Sequence, residues 1–548
     1  MEFVLLIVMF LFVLWLWHYN TSIFRLYLYT VALYLSAVSV RYITGCNVFY
    51  DDILNVFAYA LGVCSLFFTV FRVLSDIPGY KIISRVISGI ILFFLWLFPV
   101  SVLVYYGCFG TSFSEDTIII LLQTNFRESF EFLMSLSFGK IFIAVSVFGI
   151  FLSLLIYEIK NIRVLYRIKV YYPLVTLGIL ATMTVSGIFL MVLDVYPVTV
   201  VRNTVLLKEK LKNLKHDRKN LIDNIGNLSL KNEDKKLFVV VIGESATKSH
   251  LSAYGYERKT TPWLDGIDDK ILFSNAYSCH TYTVKVLPKM LTPSSQYNKQ
   301  DESLSLIDTA KKAGYKTYWI SNQEKFGQWG TYIVEYTENA DFSHWNDLIN
   351  TKAYFKTKYY DEKLLDIVKK LNIPEDENNL VFLHLMGSHS IYKHRYPPEF
   401  EKFDGMYGEY DNSIYYTDYV LKEIYDYFSK KKNFSGMVYL SDHGDAMTLD
   451  IVHNPDLFEI SMVQIPFVIL LSDKYSAKNP DVVKNLKLHS TSFWTNDLFY
   501  FTMNRLLEIE NIPLYEQEWD ISQKEYKGNL ENLKILDGKR NLYNILSY

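Results

Sequence analysis

Hydrophobic residues dominate the first two hundred positions of this 548-residue chain, whereas polar residues are spread more evenly through the remainder. Six apolar stretches in the first part are each about long enough to cross roughly 30 Å of hydrocarbon at 1.5 Å per residue. They lie near residues 3–18, 22–43, 52–74, 84–107, 140–159 and 170–195. The pattern predicts an α-helical transmembrane bundle over residues 1–200. The first stretch lacks a basic start and a small-residue cleavage site, so we expect a retained helix.

Short basic loops predict the orientation of this bundle, because Lys and Arg collect in short cytoplasmic loops. Basic residues flank the loop near 72–85 and crowd the loop near 160–169, whereas segment 108–139 is mainly acidic. We therefore expect segment 108–139 and everything after residue 201 to lie outside the cytoplasm.

Two segments beside the apolar stretches are helical in pattern but too polar to span. Residues 115–135 predict an interfacial helix, on which Thr124 and Glu128 stand four apart and share one face. From the pattern alone, a local hydrogen-bonded pair is the simpler interpretation of these two residues. A basic stretch at 203–225 predicts a linker helix over 201–235, lying along anionic headgroups or in solvent.

Beyond residue 235, runs of β-branched and aromatic residues alternate with helical patterns. Such runs predict buried strands, here at 237–242, 315–320, 379–385, 436–441 and 466–471. Helical patterns at 302–313 and 361–371 lie between them. This alternation predicts a C-terminal α/β domain over 236–548, with a mostly parallel sheet between helices.

Charge and cysteine content exclude several classes of protein. A net charge of −3 argues against nucleic-acid binding, because no basic excess is available to neutralise phosphates. Cys279 is the only cysteine in the second half, which excludes an internal disulfide framework there. Cys46 and Cys108 fall at predicted outer ends of membrane helices and could pair, although two free thiols is the simpler interpretation. The scarcity of charges within the apolar stretches argues against a transporter.

Potential metal ligands cluster where the predicted strands end. Because ligands bind at the carboxyl edge of parallel sheets, these side chains are expected to meet. Carboxylate oxygen and imidazole nitrogen are favoured zinc ligands, so the pattern predicts a zinc-type site. Any one of these potential ligands taken singly has a simpler explanation: Glu244 could cap a helix, and a single histidine after a strand could be an ordinary loop residue. The clusters contain Glu244, the Ser321-Asn322-Gln323 run, His384, His389, Asp442, His443 and, ten residues later, His453.

Several sequence segments together carry a resemblance to a known family. They are GES at 243–245, YGYERKTTP at 254–262, SCHTYTVKVLP at 278–288, HLMGSHSIYKHRYP at 384–397, and SDHGD at 441–445 with a following His. This set resembles the membrane-bound phosphoethanolamine transferases of Gram-negative envelopes, in the alkaline phosphatase and sulfatase superfamily. The resemblance covers essentially the whole chain. The TYT, WISNQ and YKHRYP segments are most similar to those of the branch that modifies the lipopolysaccharide core.

The resemblance implies a role for individual residues. Thr283 would be the nucleophile, and Thr283, Glu244, Asp442 and His443 would hold Zn²⁺. His389 and His453 would serve a second metal or the substrate phosphate, Asn322 would receive the phosphoethanolamine group, and Thr124 and Glu128 would line the donor path. The chain departs from the family in two respects. It has Lys289 where the lipid A-modifying branch has a cysteine pair, and six apolar stretches where five membrane helices are usual.

The implied activity is transfer of phosphoethanolamine from phosphatidylethanolamine, through a phosphothreonine, to lipopolysaccharide in the outer leaflet of the bacterial inner membrane. The acceptor would be a core sugar or lipid A, and the enzyme a multi-pass monomer with a periplasmic catalytic domain. A phosphoglycerol transferase acting on an envelope glycan is the main alternative. A catalytically dead, membrane-anchored sensor is another, although the metal ligands are all present. A sulfatase is disfavoured, because residues 279–290 lack the Cys or Ser followed by x-Pro-x-Arg.

Overall fold

The structure is a computed structural model. It describes residues 21–44, 81–111, 117, 132–133, 136–161, 196–226, 228–297, 304–325, 333–346, 360–447 and 458–546. The apolar stretches at 3–18, 52–74 and 170–195 therefore lie outside the described residues, as do Cys46, Thr124, Glu128 and His453.

The described N-terminal residues form long helices. These are α1 (Thr21–Ile43), α2 (Lys81–Phe109), α3 (Phe138–Asn161) and α4 (Tyr196–Asn224). The first three coincide with the apolar stretches predicted at 22–43, 84–107 and 140–159. Within the described residues, Arg85–Phe109 and Phe138–Asn161 are long and apolar enough to cross a membrane, and α1 contains the shorter apolar segment Arg25–Val40.

Polar groups between α1 and α2 are paired one to one. Pro99 lies inside α2 and has no N–H, so the carbonyl of Leu95 loses its helical partner. The Tyr34 hydroxyl on α1 donates to that carbonyl at 2.8 Å. Nearby, the indole N–H of Trp96 donates to the Thr30 hydroxyl at 2.9 Å. Such pairing is needed in hydrocarbon, where no water can satisfy a backbone carbonyl.

The C-terminal part is an α/β domain built on a seven-stranded sheet with the order β3-β9-β8-β2-β7-β5-β6. The strands of this sheet are β2 (Leu237–Gly243), β3 (Ile271–Leu272), β5 (Tyr315–Ser321), β6 (Phe342–Trp345), β7 (Asn378–His384), β8 (Phe434–Ser441) and β9 (Phe467–Leu471). Smaller two-stranded pairings are formed by β1 (Ser229–Leu230), β4 (Ala276–Tyr277), β10 (Trp494–Thr495), β11 (Ile509–Glu510), β12 (Lys534–Ile535) and β13 (Arg540–Asn541).

The helices of this domain are mostly short. They are α5 (Pro262–Asp265), α6 (Thr283–Met290), α7 (Leu306–Lys312), α8 (Val334–Thr337), α9 (Lys363–Leu371), α10 (Gly408–Phe428), α11 (Asp473–Lys478), α12 (Pro480–Leu488), α13 (Phe499–Leu506) and α14 (Leu542–Leu546).

The central sheet is mostly parallel, as predicted. Strands β8, β2, β7, β5 and β6 run parallel, whereas β9 runs antiparallel to β8 and β3 antiparallel to β9. Every residue of β2 is buried, and alternate residues point to opposite faces. Val239 and Val241 belong to the core cluster that α9 and α10 cover. Phe238 instead packs edge-on against Tyr475 of α11, with ring centroids 5.3 Å apart.

Contacts divide the molecule within α4. Residues up to Leu207, apart from segment 119–135, belong to one unit, and Lys208–Tyr548 belong to a second. In the second unit Arg218 binds Asp308 through two hydrogen bonds, at 3.0 and 2.8 Å. Asp308 also completes the capping box of α7 with Ser305. Arg218 belongs to the basic stretch at 203–225, which was expected to lie along headgroups or in solvent, and it is instead bound to the protein itself.

Candidate active site

Two adjacent strands bring the predicted metal ligands together. Strand β2 pairs with β8 in parallel, with Gly243 opposite Ser441, so the residues that follow each strand fall side by side. These residues are Glu244 after β2, and Asp442 and His443 after β8. Their ligand atoms all lie within 4.8 Å of one another, and all three residues are buried.

Hydrogen bonds orient the three side chains toward a common point. The His443 Nδ1 lies 2.7 Å from the carbonyl of Gly444. A carbonyl can only accept, so Nδ1 carries the hydrogen, and in the neutral imidazole the lone pair lies on Nε2. This Nε2 lies 3.2 Å from Oε1 of Glu244 and 3.5 Å from Oδ2 of Asp442. The Oδ2 of Asp442 has no hydrogen-bond partner within the described part of the chain.

Electrostatics at this point favour an added cation. Burial opposes ionisation of Glu244, but the neighbouring His443 lowers the pKa of Glu244 well below its ordinary value. Burial, and then the charge of Glu244, raise the pKa of Asp442 to about 7. Burial lowers the pKa of His443, yet the two carboxylates outweigh it and raise that pKa to about 10. Two carboxylates therefore share one imidazole. Together with the Oδ2 of Asp442, which accepts no hydrogen bond within the described residues, this excess of negative charge fits a divalent metal ion such as Zn²⁺.

Thr283 is the first residue of α6 and faces the same point. Its hydroxyl donates to Oε2 of Glu244 at 2.9 Å and lies 3.4 Å from Nε2 of His443. Thr281, the other threonine of the TYT run, is only 4% exposed. No hydrogen bond is made by its hydroxyl among the residues that the structure describes. Of these two threonines, the structure therefore brings Thr283 to the carboxylates.

Asn496 links the segment before Thr283 to the end of β8. Its Nδ2 donates to the carbonyl of Asp442 at 2.6 Å, and its Oδ1 accepts the N–H of Cys279 at 2.8 Å. Ser278 donates to the same carbonyl at 2.6 Å. The sequence pattern did not single out Asn496, because this residue follows the short strand β10 and not a strand of the central sheet.

The run after β5 contributes a side chain that was not predicted to act on the metal ligands. The Gln323 Nε2 donates to Oε2 of Glu244 at 2.9 Å and to the carbonyl of Leu385 at 3.1 Å. Its neighbour Asn322 instead donates to Asp361 at 2.8 Å and accepts from Asn346 at 2.9 Å. Gln323 is thus the residue of this run that orients Glu244.

The loop after β7 wraps closely around Glu244. Gly387 has a φ of 50°, and a Cβ there would lie 2.7 Å from the Glu244 carbonyl oxygen, so only glycine fits. The N–H of Ser388 donates to that carbonyl at 2.8 Å. His389 follows, half-buried, with its own carbonyl held by Arg395 at 3.0 Å. His389 also contributes to lowering the pKa of Glu244, after the larger effects of burial and of His443.

Comparisons with known proteins match the C-terminal α/β domain to a described family and the chain to known relatives. Residues 236–503 match the family model described as Sulfatase. The chain is 30% identical over 375 residues to a Haemophilus influenzae protein assigned as a phosphoethanolamine transferase, covering 64% of this chain and 74% of the relative.

Two solved structures are similar in fold. The Zn complex of the C-terminal periplasmic domain of EptC from Escherichia coli matches with a TM-score of 0.51 and 26% identity, over 58% of this chain and 94% of that domain. The integral membrane lipooligosaccharide phosphoethanolamine transferase A (EptA) from Neisseria meningitidis matches with a TM-score of 0.59 and 20% identity. That match covers 92% of this chain and 98% of the other, so the likeness extends to both parts of the fold.

Proposed function

Because the chain belongs to the phosphoethanolamine transferases of the alkaline phosphatase and sulfatase superfamily, we propose that it carries phosphoethanolamine from phosphatidylethanolamine to lipopolysaccharide through a phosphothreonine at Thr283. The acceptor is a core sugar or lipid A. The observation that carries this proposal is the Thr283 hydroxyl, which is directed at Oε2 of Glu244 inside a buried cluster with excess carboxylate.

Four residues would hold Zn²⁺ in this proposal: Glu244, Asp442, His443 and Thr283. The Oδ2 of Asp442, which accepts no hydrogen bond within the described residues, supports it, as does the zinc in the similar EptC domain. When bound, the metal would make the threonine hydroxyl more acidic and offset the charge on the phosphoryl group. His389 and His453 remain for the substrate phosphate or a second metal.

The reaction takes place in two steps. The Thr283 Oγ1 attacks phosphorus, its proton is released toward Oε2 of Glu244, and the bond to the diacylglycerol oxygen breaks. His389 protonates this leaving oxygen. An acceptor oxygen then attacks the phosphorus of the phosphothreonine, and where the acceptor is a hydroxyl its proton passes to His389. The bond between phosphorus and Oγ1 of Thr283 breaks, and Oγ1 regains its proton from Glu244. We assign Asn322 to the phosphoethanolamine group, and Thr124 and Glu128 to the donor path, on the family resemblance.

Membrane attachment follows from the donor, because a two-chain lipid does not readily leave the bilayer. We propose a multi-pass inner-membrane protein with a bundle over 1–200, a linker helix over 201–235 and a periplasmic catalytic domain over 236–548. The two span-competent helices and the basic short loops support this arrangement. The similar EptC domain of Escherichia coli is itself periplasmic.

Intact-mass analysis tests the nucleophile. Purified full-length protein loaded with zinc and incubated with phosphatidylethanolamine should gain one phosphoethanolamine, and Thr283→Ala should gain none, because only the attacking oxygen is removed. Thr281→Ala is the matched control and should keep the adduct. An adduct on Thr283→Ala that is lost in Thr281→Ala would move the nucleophile to Thr281. An adduct from phosphatidylglycerol alone would favour the phosphoglycerol transferase, and no adduct from either lipid would favour the inactive sensor.

A further inference from the structure

A hairpin near the C-terminus holds an unusual turn against the segment that precedes Thr283. Strands β12 and β13 pair antiparallel, with Ile535 opposite Arg540. In the turn between them, Leu536 and Asp537 have φ values of 55° and 57°, which residues other than glycine seldom adopt. The turn is fixed from outside, because the N–H of Leu536 donates to the carbonyl of Cys279 at 2.8 Å. The N–H of Gly538 donates to the Gln296 side chain, also at 2.8 Å.

The Asp537 carboxylate projects from this turn onto α6. It lies 2.5 Å from Nζ of Lys289 and 3.3 Å from Nζ of Lys285. These two lysines stand four apart and therefore share one face of the helix. Nε2 of His280, three residues before Thr283, lies 3.7 Å from the same carboxylate. The Asp537 carboxylate thus contacts α6 at two positions one turn apart, and it also contacts the segment that precedes α6.

The helix needs such a contact to have a fixed position. An eight-residue helix is not stable in isolation, and Pro288 removes one backbone donor from α6. Leu287 and Met290 are fully buried and fix one face of it. The side chains of Lys285 and Lys289 are 26% and 15% exposed, and both contact the Asp537 carboxylate.

We propose that Asp537 is a positioning residue for the transfer reaction. By binding Lys285 and Lys289 together, it fixes the rotation and the axial position of α6, so that the Thr283 hydroxyl remains against Glu244 and His443. The inference rests on the proposed role of Thr283. A misplacement of about 1 Å at a reacting atom is enough to slow a reaction about a hundredfold.

The hairpin also contacts residues outside α6. The Arg540 guanidinium lies over the Phe458 ring, 4.4 Å from its centroid. Lys534 is bonded through both backbone polar groups to the Tyr297 hydroxyl, each at 3.2 Å. These contacts keep the turn from swinging away from α6, which a positioning role requires.

Asp537→Asn tests the proposal, because asparagine tolerates the positive φ and keeps the shape but loses the charge. The rate of phosphoethanolamine adduct formation on Thr283 is measured against donor concentration in the zinc-loaded, full-length protein. We expect a rate at saturating donor at least about tenfold lower, with the half-saturating donor concentration and the zinc content unchanged. Asp341→Asn, which breaks the comparably exposed pair with Lys311 at 2.8 Å, is the matched control and should keep the rate.

A double-mutant cycle separates positioning from general stability. Lys285→Met with Lys289→Met should slow the reaction like Asp537→Asn, and combining all three should slow it no further, because they remove one shared contact. Additive effects on the rate, or an unchanged rate in Asp537→Asn, would overturn the proposal. So would a loss of rate in Asp537→Asn that is accompanied by a loss of zinc or a lower melting temperature and is equally large in Asp341→Asn. Absence of any adduct in the wild-type protein would overturn the proposed function, and this inference with it.

Discussion

The two ends of strand β2 carry buried charged clusters of opposite character. Before the strand, Lys236 pairs with Glu508 at 3.0 Å, and both side chains are at most 4% exposed. The side-chain Oδ1 of Asn232 accepts from Nζ of Lys236 at 3.0 Å, and the side-chain amide of Asn479 donates to Glu508 at 2.6 Å. One cation thus meets one anion, and neutral amides complete the bonding.

After the strand, two carboxylates face a single imidazole. Glu244, Asp442 and His443 are as deeply buried as the Lys236 pair, yet Oδ2 of Asp442 accepts no hydrogen bond in the described chain. Burial is therefore the same at both ends, and the balance of charge differs. A matched pair needs no further group, whereas a buried excess of charge requires a counter-ion. The excess lies at the carboxyl edge of the parallel strands, where such sheets place their ligands.

The largest effect is expected from neutralising the unbalanced end. Asp442→Asn should lose zinc almost completely, because it removes a ligand and a compensating charge. In chelator, the same variant should melt at a higher temperature than the wild type near pH 8. The ionised Asp442 and Glu244 repel each other, and burial raises the pKa of Asp442 to about 7, above its unfolded value of 3.8. A group with a raised pKa stabilises the fold at low pH and loses that contribution as pH rises.

Metal analysis and thermal melting with and without zinc measure both effects. Zinc should raise the melting temperature of the wild type and leave that of Asp442→Asn unchanged, which reverses their order. Full zinc occupancy in Asp442→Asn would show that this end of the strand is not the metal centre.

The balanced end should respond in the opposite way. Lys236→Met leaves Glu508 buried without its cation, which is expected to lower the free energy of unfolding by about 3 to 5 kcal/mol. Zinc content and adduct formation should remain, because Lys236 lies at the far end of β2 from Glu244. Combining Lys236→Met with Glu508→Gln should recover much of the loss, because no charge is then left unpaired. Urea unfolding compares both variants with the wild type, and a loss of zinc in Lys236→Met would contradict the contrast between the two ends.

The sheet could be predicted from the sequence because buried parallel strands are continuous apolar runs. The run predicted at 315–320 is β5, and that at 379–385 is β7, each within one residue at either end. Strand β6, Phe342–Trp345, has a mixed pattern and was not predicted, and β9 runs antiparallel, which no local pattern reveals. The hairpin of β12 and β13 was missed because two-residue strands leave no periodicity.

The residues of the candidate site likewise fall into those that the sequence indicates and those that it does not. Glu244, Asp442 and His443 follow apolar runs directly, so the sequence marks them as strand ends. Gln323 belongs to the predicted strand-end run 321–323, but nothing in the sequence distinguishes it from Asn322, and Asp537 follows no predicted strand. Gln323 meets Glu244 across 79 residues, and Asp537 meets Lys289 across 248. Contacts of this kind depend on how distant segments pack, so only the three-dimensional structure reveals them.

The smallest predicted effect concerns the orientation of one ligand at the unbalanced end. Gln323 holds Oε2 of Glu244 and the carbonyl of Leu385 with one amide, so Gln323→Met should weaken zinc binding by about 10- to 100-fold without abolishing it. Competition with a chelator of known affinity measures this change. Asn346→Ala is the control, because it removes the side-chain bond to Asn322 and keeps the backbone N–H that donates to the Gln323 carbonyl at 3.1 Å, so zinc affinity should be unchanged. Equal weakening in both variants would mean that general loosening of this run, and not the bond to Glu244, controls the metal site.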